Sequence, residues 1–467
     1  MRLLKRIHPV DIAAIIFCLL FIATGILINL NRFWQFELGY YDFGIFDRPI
    51  WLISQFKAPI IDHFLVGGKI NLADHFNPGI YLLAPLYWFT SRSEIILIIP
   101  SIAVGISGFI LYSIGKKLLK SHFAPLSVMV AYYLFLGTQN AIYSDFHAVT
   151  ISALTIALTY WAAVTKSKKL FLVFLVLTLS LKENLVLFGI SVALFIWVYN
   201  NWKKYAIYTL IGSIVYGLVL IKIVMPFFAG QPYIYTTPHS LNAQQIITAL
   251  FMQLIKVKTV FLTFLSFLFL PLFYLPLLPH IALNFISRFI PEGGTRWDLG
   301  LHYNAEIAPT LAIASLFTLK TIKEKYGKLL VQYIAGALFL WGILFNLFYF
   351  KGPFLLAIHP VFYEHTNVFG FLRTLVSKVP KNATVAAQNN LASYFLHNNN
   401  VWILRENYKI HKPDYIVIDA REGQNPSNFL GIEDIRMLLK SIKKDPDYSI
   451  YFRETDQYIF KRTVKRD

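Results

Sequence analysis

The chain has 467 residues, 56% hydrophobic and 15% charged, with a mean hydropathy of +0.55. Soluble domains carry roughly a quarter charged residues, so this composition excludes a soluble globular protein and points to one embedded in lipid. The formal charge of +18 does not indicate a nucleic-acid partner, because the lysines fall in short groups between apolar runs rather than on one basic domain.

The N-terminal "MRLLKRIHPVDIAAIIFCLLFIATGILINL" pairs a basic start with an apolar stretch of roughly 20 residues, enough for a helix to cross a bilayer. No small-residue cleavage site follows, so it reads as an uncleaved first transmembrane helix rather than a signal peptide. The single cysteine, Cys18, lies inside it, which leaves no intrachain disulfide and no cysteine-based metal site. Backbone in hydrocarbon must satisfy its own hydrogen bonds. Each apolar run is therefore expected as a helix: 11–30, 95–115, 124–138, 148–165, 170–182, 185–199, 205–227, 241–255, 259–277, 305–319 and 329–350, eleven crossings in all. The shorter "GIYLLAPLYWFT" (79–90) is expected as a re-entrant or interfacial helix. With a cytoplasmic N-terminus, the basic groups at 2–6, 116–120, 166–169, 203–204, 256–258 and 320–328 all fall inside. Most acids before residue 351 fall at exterior loops or helix ends, as do His63, His75, His147, His280 and His302.

After Lys351 the pattern changes. "ATVAAQNNLASYFLHNNNVWIL" reads as strand, helix, strand; "PDYIVIDA" as a buried strand; "IEDIRMLLKSIKK" as an amphipathic helix; "YSIYFRETDQYIFKR" as a hairpin. The expected organisation is a polytopic α-helical membrane domain over 1–350, with a long first exterior loop at 31–78, and a small α/β domain over 360–467 outside the membrane.

Four polar constellations interrupt the apolar chain. The first loop holds "YYDFGIFDRPIW" with Asp42 and Asp47, then Asp62-His63 and Asp74-His75. Carboxylate and imidazole together suit either a divalent ion such as Mg²⁺ or Mn²⁺ or removal of a proton from a hydroxyl. Helix capping is the competing explanation for the aspartates of the two Asp-His pairs, Asp62 and Asp74. Asp42, about a dozen residues beyond the first helix, is the first choice for a base. "IYSDFHAVT" places Asp145 and His147 at a helix mouth, where they could hold a metal, or where Asp145 or Ser144 could cap the next helix. "LSLKENLVLF" puts Lys182, Glu183 and Asn184 in an apolar stretch: either the chain turns there with Lys182 or Glu183 facing a site, the favoured reading, or the two charges pair with each other or with the site. "SRFIPEGGTRWDLGLHYNAEIAPT" supplies Arg288, Arg296 and His302 as candidate phosphate contacts. No Walker loop, His-Glu-x-x-His motif or nucleophile elbow is present.

"YDFGIFDRPIW", "DHFNPGIYLLAPLY", "SDFHAVTISALTIAL", "LKENLVLFGI" and "HYNAEIAPTLAIASL" resemble, in order, blocks of a polytopic membrane protein family, domain of unknown function 2079. That family is in turn similar in architecture to the GT-C glycosyltransferases. The resemblance implies a polyprenyl-phosphate sugar donor, a glycan or protein acceptor outside the plasma membrane, and a first-loop aspartate, here Asp42, as the essential residue. The paired acidic motif of many GT-C loops is absent, since "FGIF" separates Asp42 from Asp47. A transporter or flippase of a lipid-linked or anionic solute, and a non-catalytic envelope assembly protein, are the alternatives.

Overall fold

Apolar helices dominate the architecture, which a computed structural model describes for residues 8–62, 68–235, 242–291, 293–424 and 428–463. His63 and Glu292 lie outside the described residues. The chain divides into two compact units, one formed by 1–27, 75–79 and 98–356, the other by 28–74, 80–97 and 357–467.

Among the described residues, six helices are long and apolar enough to span a bilayer: Pro9–Trp34, Glu94–Leu119, Glu183–Asn200, Lys203–Ala229, His302–Tyr326 and Lys328–Phe350. A bent pair, Gln244–Phe251 with Leu254–Leu265, brings the number to seven if counted as one span. Phe123–Leu134 and Ala148–Val164 are shorter and also apolar. Burial separates the long helices. His302–Tyr326 buries 83% of its apolar window, whereas Lys203–Ala229 buries 22% and turns Tyr208, Ile211, Val215 and Leu218 outward, as a lipid-facing helix does.

Three expected runs are broken. Segment 124–138 splits at Phe135, whose extended backbone separates Phe123–Leu134 from Leu136–Tyr143. Segments 241–255 and 259–277 become Ala243–Phe251, Leu254–Leu265 and two short 3₁₀ turns, Leu270–Phe273 and Leu275–Leu277, each with a proline at its start. Proline lacks the N–H that would continue an α-helix. The chain then returns as the helix Leu278–Phe289. Side chains satisfy carbonyls at this break: Trp341 Nε1 donates to Leu265 O at 2.9 Å, and Thr318 Oγ1 to Leu270 O at 2.8 Å. Lys256 Nζ donates to Phe289 O at 2.8 Å and lies 3.9 Å from the Trp297 ring centre. Both ends of the 254–289 hairpin thus meet at the 287–304 loop. The 256–258 basic pair was expected opposite that loop; the hairpin reversal puts Lys256 beside it.

In the second unit, β1 (Ile60–Ile61) pairs antiparallel with β2 (Lys69–Ile70). The remaining strands are β3 (Thr384–Ala387), β4 (Asn400–Ile403), β5 (Tyr415–Asp419), β6 (Tyr448–Glu454) and β7 (Gln457–Arg462), in sheet order β4-β3-β5-β7-β6. β3 runs parallel to β4 and β5, and β7 antiparallel to β5 and β6. Every residue of β5 is buried, as its central position requires. The helix Ile432–Lys443 sets Ile435, Leu438, Leu439 and Ile442 against Ile416, Ile418 and Phe460. These elements match the strand and helix pattern read from 384–462.

The segments 28–74 and 80–97 are woven into this unit. Arg48 donates to the carbonyls of Leu396, Asn398 and Asn399 at 2.7–3.0 Å. Asp62 accepts the Ile403 N–H at 2.9 Å and pairs with Arg405 at 3.4 Å. Gln35 donates to Phe362 O at 2.6 Å, and Tyr394 OH to Phe33 O at 2.7 Å.

Candidate functional site

Asp42 sits in a π-helical turn, Tyr40–Gly44, a geometry found mostly as short insertions at functional sites. Gly39 introduces the turn because a Cβ there would collide with the Asn389 side chain, whose Oδ1 accepts the Tyr41 N–H at 2.9 Å. The Asp42 side chain is exposed, yet protein crowds it on its other sides. That desolvation raises its carboxyl above the usual aspartate value, against the opposing pull of Arg32. Among the described residues it makes no hydrogen bond or ion pair.

The neighbouring aspartates differ. Asp47 is fully buried, accepts from Tyr87 OH and from Ser93 OH at 2.9 Å, and pairs with His397 Nε2 at 2.9 Å. His397 is held in turn by the Ser91 carbonyl and by stacking on Trp51. Asp62 anchors β4, as described above, rather than capping a helix. Asp74 is buried at the end of the 3₁₀ turn Asn71–Ala73.

The helical unit brings together most of the other expected residues. The turn after Leu179 places Glu183 where His75 Nδ1 lies 2.9 Å from Oε1, the Phe76 N–H donates to Oε2 at 3.0 Å, and Tyr233 OH donates to Oε1 at 3.2 Å. His75 stacks on Tyr235, and the Arg296 guanidinium lies 5.8 Å from the centre of the same ring. His147 stacks on His302 with ring centres 3.6 Å apart. His302 is within electrostatic reach of His147, Lys182, His75 and Arg288, and its Nδ1 is buried without a hydrogen-bond partner among the described residues. Five separate segments therefore converge on one polar centre at the mouths of apolar helices.

Arg288 works differently from Arg296. It is buried, and its donors go to the Arg296 and Asp298 carbonyls and to Asn304 Oδ1, all at 2.7–2.8 Å. It braces the 288–304 loop. Asn284 and Asn184 both donate to Glu306, which ties the Glu183 turn to this loop. Asp145 is buried with a left-handed backbone, φ +61°, and the residue at the N-cap of Ala148–Val164 is His147, without a side-chain capping bond. Neither Asp145 nor Ser144 caps that helix; Ser144 Oγ instead donates to Asn140 O.

Among the described residues, no three His, Cys, Asp or Glu side chains converge to hold a metal ion. Asp145 and His147, the pair expected to hold a metal, supply two donor side chains, and no third joins them among the described residues. Sequence reasoning missed Tyr233, Tyr235, Asn284 and Asn304 as members of this centre, and it counted Glu306 only as an exterior acid. Uncharged polar residues in a membrane chain carry little pattern of their own; only adjacency to Lys182-Glu183 marked Asn184.

Fold and polar centre together define a polytopic helical membrane protein that also carries a small mixed sheet. The chain belongs to the predicted-membrane-protein family DUF2079, whose profile matches residues 32–457. No curated protein matches it.

Proposed function

We propose that the protein is a GT-C-like glycosyltransferase that moves a sugar from a polyprenyl phosphate to a glycan or protein acceptor outside the plasma membrane. Asp42 removes the proton of the acceptor hydroxyl. The freed oxygen attacks the anomeric carbon from the face opposite the phosphate, and the carbon–oxygen bond to phosphate breaks with inversion. The departing lipid phosphate takes the bonding pair, and its charge needs cationic or hydrogen-bonding partners; Lys182, Arg296 and His302 of the helical unit are the candidates. Arg288 keeps the Arg296 loop in shape. No step is routed through a metal. The carrying observation is the Asp42 carboxylate, exposed and without a bonded partner among the described residues, while Asp47 and Asp62 are engaged in holding their unit together.

In this reading the N-terminus is cytoplasmic and the unit containing 357–467 is exterior. The 254–289 hairpin enters and leaves from the exterior face, so 241–255 and 259–277 are not two of eleven crossings. The test is transfer of labelled sugar from a polyprenyl-phosphate donor by purified protein in vesicles. Transfer by the parent that is lost in Asp42→Asn is expected; equal rates in both would refute the assignment.

One observation favours transport as a second reading. The broken hairpin and the buried Glu183 and Glu306 are features that build solute sites in secondary transporters. Solute flux in proteoliposomes without covalent transfer would establish it.

A further inference from the structure

The end of the helical unit away from the histidines gathers lysines from three segments. Lys117 and Lys120 end the helix Ile99–Leu119, Lys166 follows Ala148–Val164, and Lys320 and Lys323 lie in the last turns of Ile307–Tyr326. Along that last helix, Lys323 is roughly 25 Å from Glu306 by helix rise. All five lysines line one cavity of about 530 Å³, with Glu324 as its single carboxylate. Glu324 lies 3.7 Å from Lys320, a loose pair, and Lys323 donates to the Leu119 carbonyl. Among the described residues, Lys117, Lys120 and Lys166 have no carboxylate within ion-pair distance. Lys120 and Lys166 hold left-handed backbone, φ +44° and +61°, a conformation that costs a non-glycine residue energy. A smaller cavity of about 260 Å³ shares Lys120 and Lys323 and adds Lys328.

Lysines at helix C-termini are favoured by the helix dipole, and lysines on a cytoplasmic face by membrane insertion. Neither effect requires ammonium groups from three segments to converge on one cavity, where they repel each other. A bound anion removes that repulsion. The walls decide its source: Leu118, Val164 and Tyr199 line the same cavity, which lies at the ends of apolar helices. We infer that this cavity binds the phosphate headgroup of an anionic membrane phospholipid. The inference is independent of the transfer reaction proposed above.

The experiment uses the full-length protein in nanodiscs, with phosphatidylglycerol or phosphatidylcholine as probe and native mass spectrometry as readout. The parent is expected to retain phosphatidylglycerol in preference to phosphatidylcholine. The triple variant Lys117→Gln, Lys120→Gln, Lys166→Gln is expected to lower that affinity on the order of a hundredfold, from roughly one kcal/mol per lysine near a lipid phosphate. The matching triple arginine variant should keep it. Equal retention of the two lipids by the parent, or unchanged retention in the glutamine variant, overturns the inference. So does displacement of the lipid by millimolar inorganic phosphate, which would make this a site for a free anion. Should the glutamine variant fail to fold, the parent's lipid preference and the arginine variant still decide the matter.

Discussion

Asp42 and Asp47 lie five positions apart, and their surroundings assign them different tasks. Asp47 holds Tyr87, Ser93 and His397 inside the protein, so Asp47→Asn should destabilise its unit by about 1–3 kcal/mol, read as a lowered thermal midpoint. Asp42→Asn should leave the fold intact and reduce transfer by roughly 10²–10⁴-fold, the usual weight of a positioned base. The raised Asp42 value also sets a pH signature. Between the ordinary aspartate value of about 3.9 and the raised folded value, the folded protein binds more protons than the unfolded chain. Stability from this group is therefore lost as pH rises through that window, while activity rises because the base becomes ionised. Asp42→Asn should remove that loss, so its thermal midpoint relative to the parent should improve from acidic to neutral pH. A midpoint difference that is flat with pH would contradict the raised value. The residue types were legible in advance, since "YYDFGIFDRPIW" marks both aspartates. Which of them is locked and which open was not, because Asp47's partner His397 lies 350 residues away in the chain.

The 254–289 hairpin shows where pattern reading stops. Counting apolar runs and basic pairs assumes that each run crosses and each pair faces the cytoplasm. Lys256 is a poor guide to the second, because its charge is spent inside the protein, on two carbonyls and the face of Trp297. Lys258, two residues on, is exposed. A cysteine at Lys258, in a Cys18→Ser background, should react with a membrane-impermeant maleimide added outside intact cells, and one at Lys120 should react only after permeabilisation. Labelling of Lys258→Cys only after permeabilisation would restore the eleven-crossing arrangement. The break itself depends on side-chain donors. Thr318→Val leaves the Leu270 carbonyl without its hydroxyl partner, and should cost about 1–3 kcal/mol in detergent-unfolding measurements. The elements of 384–462 posed no such difficulty: alternating and continuous apolar runs bounded by polar turns are local signals, and strand, helix and hairpin formed where they were read.

At the scale of the whole chain, segments far apart in sequence share a unit. Gln35 and Phe362 are bonded across 327 residues, and Arg48 holds the backbone that leads into β4. No periodicity in the sequence announces such pairings, because each is a long-range match of one side chain to a carbonyl that any residue could supply. If 28–74, 80–97 and 357–467 form one cooperative unit, a defect placed in the first segment must spread to the last. Arg48→Leu provides it. The substitution keeps apolar bulk but strips buried carbonyls of their donors, a penalty of about 1–3 kcal/mol for each one left unmet. Hydrogen exchange on the full-length variant should then show amides of 45–54 and of 400–418 losing protection together, while the helix Ile307–Tyr326 keeps its own. Loss confined to 45–54 would mean that the sheet stands without the loop. In that case the tight pairing of Asp62 with Ile403 and Arg405 would be a docking contact, and the 28–97 segments would be free to move while the sheet stays folded.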